Sequence, residues 1–142
     1  MKILIAEDDP VTNKLIESNL KKWGYEVITA SNGDEAWELF QELREPLVII
    51  LDWMMPGASG LEVCTRIVRS EPVHPVHIIF LTARDEAKDV VKGFAAGASD
   101  FIRKPCDVQE LKARILIATQ MIDLQSRLRE RMRKLEEGSW ES

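Results

Sequence analysis

"LVIILDWMMPGASG", residues 47–60, carries five apolar residues into a single aspartate and then into a Pro-Gly turn. An unbroken apolar run rich in β-branched residues marks a strand covered on both faces, because a strand with one wet face would alternate. Asp52 is where that run ends. A carboxylate in that place has to be explained by what stands at the ends of the other apolar runs.

"ILIA" (3–6) and "VHIIFLTA" (76–83) repeat the pattern, "VITA" (27–30) is a weaker version, and "DFIRK" (100–104) is a fifth candidate. The segments between them have helical spacing: Val11, Leu15, Ile16 and Leu20; Ala36, Leu39, Phe40 and Leu43; Leu61, Cys64, Ile67 and Val68; Val90, Val91, Phe94 and Ala95. Each set recurs at three or four residues, as an amphipathic helix requires. The punctuation agrees. Asp9-Pro10 offers an N-cap with proline at the first helical position, Gly24 and Gly97 stand where helices should end, and Asp107 can cap the last helix. A βα unit repeated five times predicts an α/β fold, a doubly wound five-stranded parallel sheet with five helices on its two faces and right-handed crossovers. In such sheets the functional crevice lies beyond the carboxyl ends of the strands.

The chain has 142 residues, 45% of them hydrophobic, enough for one domain with a real core. A net charge of -5 and a pI near 5.1 argue against a nucleic-acid surface and against acidic partners. Cys64 and Cys106 lack metal-ligand or C-x-x-C spacing and suggest reduced thiols of a cytoplasmic protein. "MKILIAEDD" turns acidic too soon for a signal peptide, and no apolar run approaches membrane-spanning length, so no membrane partner is expected.

The residues that leave the strands are Glu7, Asp8 and Asp9 after the first, Asp52 after the third, Thr82 at the end of the fourth and Lys104 after the fifth. All belong on one rim. Carboxylates from separate strands that converge within a few ångströms stay ionised only when a cation or proton compensates. Magnesium accepts one or two carboxylates, a carbonyl and several waters. An aspartate beside a divalent ion, a lysine and a hydroxyl suits phosphoryl transfer, in which most catalysis is positioning and charge neutralisation, and the carboxylate can itself become an acyl phosphate. The plainer alternatives are a turn-capping role for Asp52, a solvated Lys104 and a purely core role for Phe101. Having the set in register favours the functional reading.

"ILIAEDDP", "LVIILDWMMPGASG", "FLTA" and "DFIRKP", in this order and spacing, resemble the receiver domain of two-component response regulators, the CheY-like superfamily, over residues 2–120. The resemblance implies a flavodoxin-like sheet of strand order 2-1-3-4-5. It implies that Asp52 is the phosphoacceptor and that Glu7, Asp8, Asp52 and the backbone carbonyl of Met54 hold Mg2+, with Mn2+ as a substitute. Thr82 and Lys104 complete the catalytic set, Thr82 and Phe101 form the switch, and Lys104-Pro105 is a cis bond. Such a domain takes its phosphoryl group from a sensor histidine kinase or phosphotransfer protein and is no enzyme beyond its own phosphoryl transfer and slow autodephosphorylation. Glu7-Asp8 replaces the commoner pair of aspartates, and Asp9 is assigned to helix capping first and to the metal second. Trp53, Met54 and Arg84 flank the acceptor and would govern water access to it. His74 and His77 are assigned no chemistry.

Two other phosphate-handling classes share features with this chain. An aspartyl-nucleophile phosphatase of the haloacid dehalogenase group needs a second aspartate where Met54 stands, and a flavodoxin-type FMN carrier needs a phosphate loop where "EDDP" would repel it.

From Val108 to about Glu137 nothing breaks the helix, so it should outrun the globule. Ile117, Met121, Leu124, Leu128 and Leu135 form a short heptad seam with Arg131 interrupting one position. The expected organisation is a receiver over 1–120, a coiled-coil-like helical extension over 121–137 and a flexible end over 138–142. The extension is similar to linkers leading to diguanylate cyclase (GGDEF) or other signalling output domains. Two homodimer surfaces are expected: the face of the fourth helix, fifth strand and fifth helix, or the C-terminal helix.

Overall fold

In the computed structural model, which describes residues 1–83 and 87–139, every apolar run becomes a strand. These are β1 (Lys2–Ala6), β2 (Glu26–Ala30), β3 (Leu47–Asp52), β4 (Val76–Thr82) and β5 (Asp100–Arg103). The helices are α1 (Pro10–Lys22), α2 (Gly33–Glu42), α3 (Gly60–Arg69), α4 (Ala87–Ala96) and α5 (Val108–Ser139). All strand pairs are parallel and the order is β2-β1-β3-β4-β5. Ala6 lies beside Leu51, and Asp52 beside Leu81, so β1, β3 and β4 empty at one rim.

Alternation along the strands divides the core. Leu4, Leu47, Ile49, Leu51, Ile78 and Phe80 face Ala36 of α2 and Val63, Cys64 and Ile67 of α3. Ile3, Ile5, Val48, Ile50, Ile79, Leu81 and Ile102 face Ile16 and Leu20 of α1 and Leu111, Ile115, Ala118 and Ile122 of α5. Each fully buried Leu or Ile contributes about 1.5–3 kcal/mol before chain entropy is set against it. Both cysteines are unpaired thiols.

The expected caps form. The Asp9 carboxylate accepts from the Thr12 N–H at 3.2 Å, and Asp107 accepts from the N–H groups of Gln109 and Glu110 at 2.8 and 3.1 Å. Gly24 and Gly97 adopt φ of +95° and +115°, the left-handed geometry that ends a helix.

Two elements depart from the sequence pattern. In α4 the stripe turns outward, with Val91 and Phe94 exposed, while Gly93 faces the core. At Gly93 the Phe101 ring takes the space that a bulky inward residue would need. In α5 the packed face is Leu111, Ile115, Ala118 and Ile122, while Ile117, Met121, Leu124, Leu128 and Leu135 lie in solvent. Exposed Met132 carries this outer stripe past Arg131. Met121 and Met132 are eleven residues apart, the interval that returns to nearly the same azimuth on a straight helix. Beyond the sheet, the Arg129 guanidinium of α5 donates to the carbonyl of Val73. Arg84 and residues 140–142 lie outside the described residues. Among the described residues no helix is long and apolar enough to cross a membrane.

Candidate functional site

The chain leaves β1 through a fixed turn. The Glu7 N–H donates to the Ala30 carbonyl at 3.2 Å, and the Asn13 amide donates to the Glu7 carbonyl at 2.9 Å. The Glu7 side chain is thereby turned inward and is 1% exposed, whereas Asp8 is exposed. One Glu7 oxygen accepts from the Asp9 N–H at 3.2 Å.

Asp52 ends β3 and is 4% exposed. Its Oδ1 accepts from the Met54 N–H at 3.4 Å, and the Met54 side chain points into solvent. The following loop is pinned to the sheet: the Trp53 N–H donates to the Leu81 carbonyl at 3.1 Å and the Gly60 N–H to the Trp53 carbonyl at 3.2 Å. A Cβ on Gly60 would stand 2.2 Å from the Asp52 carbonyl oxygen, so only glycine lets α3 start so near the strand end.

Lys104 arrives from β5. Its N–H donates to the Thr82 carbonyl at 2.9 Å, and the Lys104-Pro105 bond is cis, as expected. Its ammonium lies 3.0 Å from Glu7 Oε1 and 3.0 Å from Asp52 Oδ2. Thr82, buried, ends β4 next to this group. Phe101 lies in β5, half-buried, with its ring 5.6 Å from Phe80 and 5.0 Å from Phe94 between centroids.

Glu7, Asp8 and Asp52 each offer an oxygen within 4.8 Å of the others. Burial and then the Glu7 carboxylate raise the Asp52 carboxyl above its ordinary range, against the pull of Lys104. Partial burial and Asp52 raise Asp8 as well. Burial works against the Lys104 charge, yet Glu7 and Asp52 hold the ammonium above its ordinary range. The shifts of Asp52, Asp8 and Lys104 share one cause, the crowding of carboxylates around the Lys104 ammonium. Among the described residues the buried Glu7 Oε2 atom has no hydrogen-bond partner. An orphaned anionic oxygen beside two further carboxylates is a donor set that fits a hard divalent cation.

Residues 3–116 match the response regulator receiver domain model. The chain belongs to this family. Over 114 residues it is 44% identical to the phosphate regulon transcriptional regulatory protein PhoB of Rhizobium meliloti, covering 80% of this chain and 50% of that protein. Among solved structures, chemotaxis protein CheY4 of Vibrio cholerae superposes with a TM-score of 0.74 at 29% identity, covering 85% of this chain and 97% of that one. The receiver domain of the Saccharomyces cerevisiae response regulator Ssk1, solved with the histidine phosphotransfer signaling protein Ypd1, gives a TM-score of 0.75 at 28% identity, covering 81% of this chain and 86% of that one. The chain spans about half the length of the curated relatives it matches. It is a phosphoacceptor receiver of two-component signalling, a signalling domain, and receivers as a class bind Mg2+ in an acidic pocket.

Glu7, Asp8, Asp52 and Lys104 gather at this site, Thr82 ends the neighbouring strand, Phe101 lies in β5, and the Met54 side chain points away into solvent. Sequence reading missed the supports: Asn13, which fixes the turn under Glu7, and Gly60, which admits the loop. An amide after an acidic turn or a glycine opening a helix has many ordinary uses, so neither carries a signal of its own.

Proposed function

We propose that Asp52 is the phosphorylated residue of this receiver. The observation that supports it best is the Lys104 ammonium at 3.0 Å from both Glu7 and Asp52, beside an unsatisfied carboxylate oxygen. Glu7, Asp8, Asp52 and the Met54 carbonyl would hold Mg2+, or Mn2+ in its place. When bound, that ion neutralises the oxygens of the transferred group. The Met54 N–H on Oδ1 and Lys104 on Oδ2 hold the plane of the Asp52 carboxylate. With a phosphohistidine donor, an Asp52 oxygen forms the new bond to phosphorus as the phosphorus–nitrogen bond breaks, and the imidazole takes the electron pair. Lys104 and Thr82 then pair with the new phosphoryl oxygens. The same site, admitting water, slowly returns the domain to its resting state.

Phosphorylation adds charge and acceptor oxygens at Asp52. Thr82 turning toward them leaves room for Phe101 to move inward, which reshapes the surface of α4, β5 and α5. The donor is a sensor histidine kinase or phosphotransfer protein in the cytoplasm. The receiver proper occupies 1–120 and residues 121–137 of α5 act as a helical linker. The curated relatives are named as transcriptional regulators, so a transcriptional output stands beside the cyclase reading. An acidic charge balance supports the absence of direct nucleic-acid contact by these residues themselves. Self-association runs through the α4–β5–α5 face or the exposed stripe of α5.

Incubation with acetyl phosphate and Mg2+, followed by intact mass, tests the assignment. One phosphoryl adduct is expected, lost without Mg2+ and lost in Asp52→Asn. An adduct that persists in the variant places the acceptor elsewhere.

A further inference from the structure

Gly93 lies within α4 at a position where helical backbone needs no glycine, since its φ is not among the positive values of the chain. Glycine in a helix interior costs about 1 kcal/mol relative to alanine, so something else must favour it. The space beside it does. A Cβ on Gly93 would stand 2.4 Å from Phe101 Cζ, and 3.2 Å from both Phe101 Cε1 and Trp53 Cζ3. The edge of the Phe101 ring therefore fills the volume that any other residue type would claim.

That ring links three parts of the site. Phe80 pairs with Phe101 and Thr82 with Arg103 in the β4–β5 register, so Phe101 and Thr82 are same-face, diagonal neighbours. Trp53, whose ring is 6.4 Å from that of Phe101, follows Asp52 directly in the chain. Phe94 closes the outer side edge-on.

We propose that Gly93 is a positioning residue of the switch: its missing side chain opens the slot in which the Phe101 ring sits, beside Trp53 and diagonal to Thr82, and so sets how readily Thr82 turns toward a phosphorylated Asp52. The inference rests on the reading of Asp52 as phosphoacceptor. Closing the slot displaces the ring from this seat and shifts the balance between the two switch states, and with it the rate of labelling.

A double-mutant cycle tests it. Wild type, Gly93→Ala, Phe101→Leu and the double variant are labelled with acetyl phosphate and Mg2+, with adduct formation followed by intact mass and thermal midpoints measured on the same samples. Leucine lacks the Cζ and Cε1 atoms that a Cβ at 93 would strike. Gly93→Ala should change the labelling rate by about threefold or more when Phe101 is present and by less than about 1.5-fold when it is combined with Phe101→Leu. An equal change in both backgrounds, or none in either, overturns the proposal. Should Gly93→Ala alone fail to fold, recovery of the native midpoint in the double variant supports the slot and continued unfolding overturns it. Absence of any adduct on wild type would instead remove the phosphoacceptor reading and this inference with it.

Discussion

Leu51 and Asp52 are consecutive residues of β3, 0% and 4% exposed, and they occupy opposite physical situations. Leu51 is held among apolar neighbours on the α2–α3 side of the sheet, and its removal from water is part of what drives folding. Asp52 is buried to nearly the same degree, beside another carboxylate, and the two share the Lys104 ammonium. Burial helps the first residue and works against the second. The difference shows where the fold supplies stability and where it stores unfavourable charge for use.

The largest contrast should come from Leu51→Ala, which leaves a cavity in a close-packed core and should cost about 2–5 kcal/mol in denaturant unfolding. A loss below that range would mean that the layer under the rim collapses around the gap. Lys104→Met keeps most of the stem but removes the charge between Glu7 and Asp52. Stability without divalent ions should fall by about 1–3 kcal/mol, and added Mg2+ should restore more of it than it adds to wild type. Equal Mg2+ responses would show that Lys104 does not offset these carboxylates.

Asp52→Asn should go the other way. A carboxyl raised above its ordinary range binds its proton more tightly in the folded chain, so its ionised form costs stability once the pH climbs through the folded value. At neutral pH the neutral amide removes that cost, and stability without Mg2+ should rise by on the order of 1 kcal/mol. A fall of similar size would mean that the pairing with Lys104 outweighs burial and the Glu7 charge.

The smallest effect belongs to His77, buried at the start of β4, its Nε2 without a hydrogen-bond partner among the described residues. Burial holds this imidazole below its ordinary range, with Asp100 pulling weakly the other way. The unfolded chain then takes up its proton first as pH falls through about 6.5, and stability declines on acidification toward the folded value. His77→Leu should flatten the stability profile over that window, by comparison of unfolding midpoints at stepped pH. Parallel profiles would assign the acid sensitivity to the carboxylates alone.

The fold was legible because its parts are local. Unbroken apolar runs such as Leu47–Leu51 and caps such as Asp9-Pro10 declare strands and helix starts without knowledge of their neighbours. The site was legible for a related reason. Parallel strands empty at one rim, so Glu7, Asp8, Asp52, Thr82 and Lys104 could be gathered from position alone. What stayed hidden depends on facing surfaces. Gly60 and Gly93 matter through the atoms opposite them, the Asp52 carbonyl and the Phe101 ring. The His77 side chain looked like an ordinary strand start until its burial was visible. In α4 the apolar stripe suggested a buried face, but Val91 and Phe94 lie outward and Gly93 takes the place against the Phe101 ring. In α5 two apolar stripes overlap, and spacing picked out the one in solvent while the packed one escaped notice.

The uninterrupted course of α5 has a mechanical consequence. The segment from Leu111 to Ile122 is gripped by the sheet, and about 25 Å of the same rigid rod projects past it. A tilt of about 10° at the gripped end sweeps the far tip through roughly 4 Å by simple leverage. Small rearrangements near the rim can thus be delivered at a distance as displacement, with no second moving part.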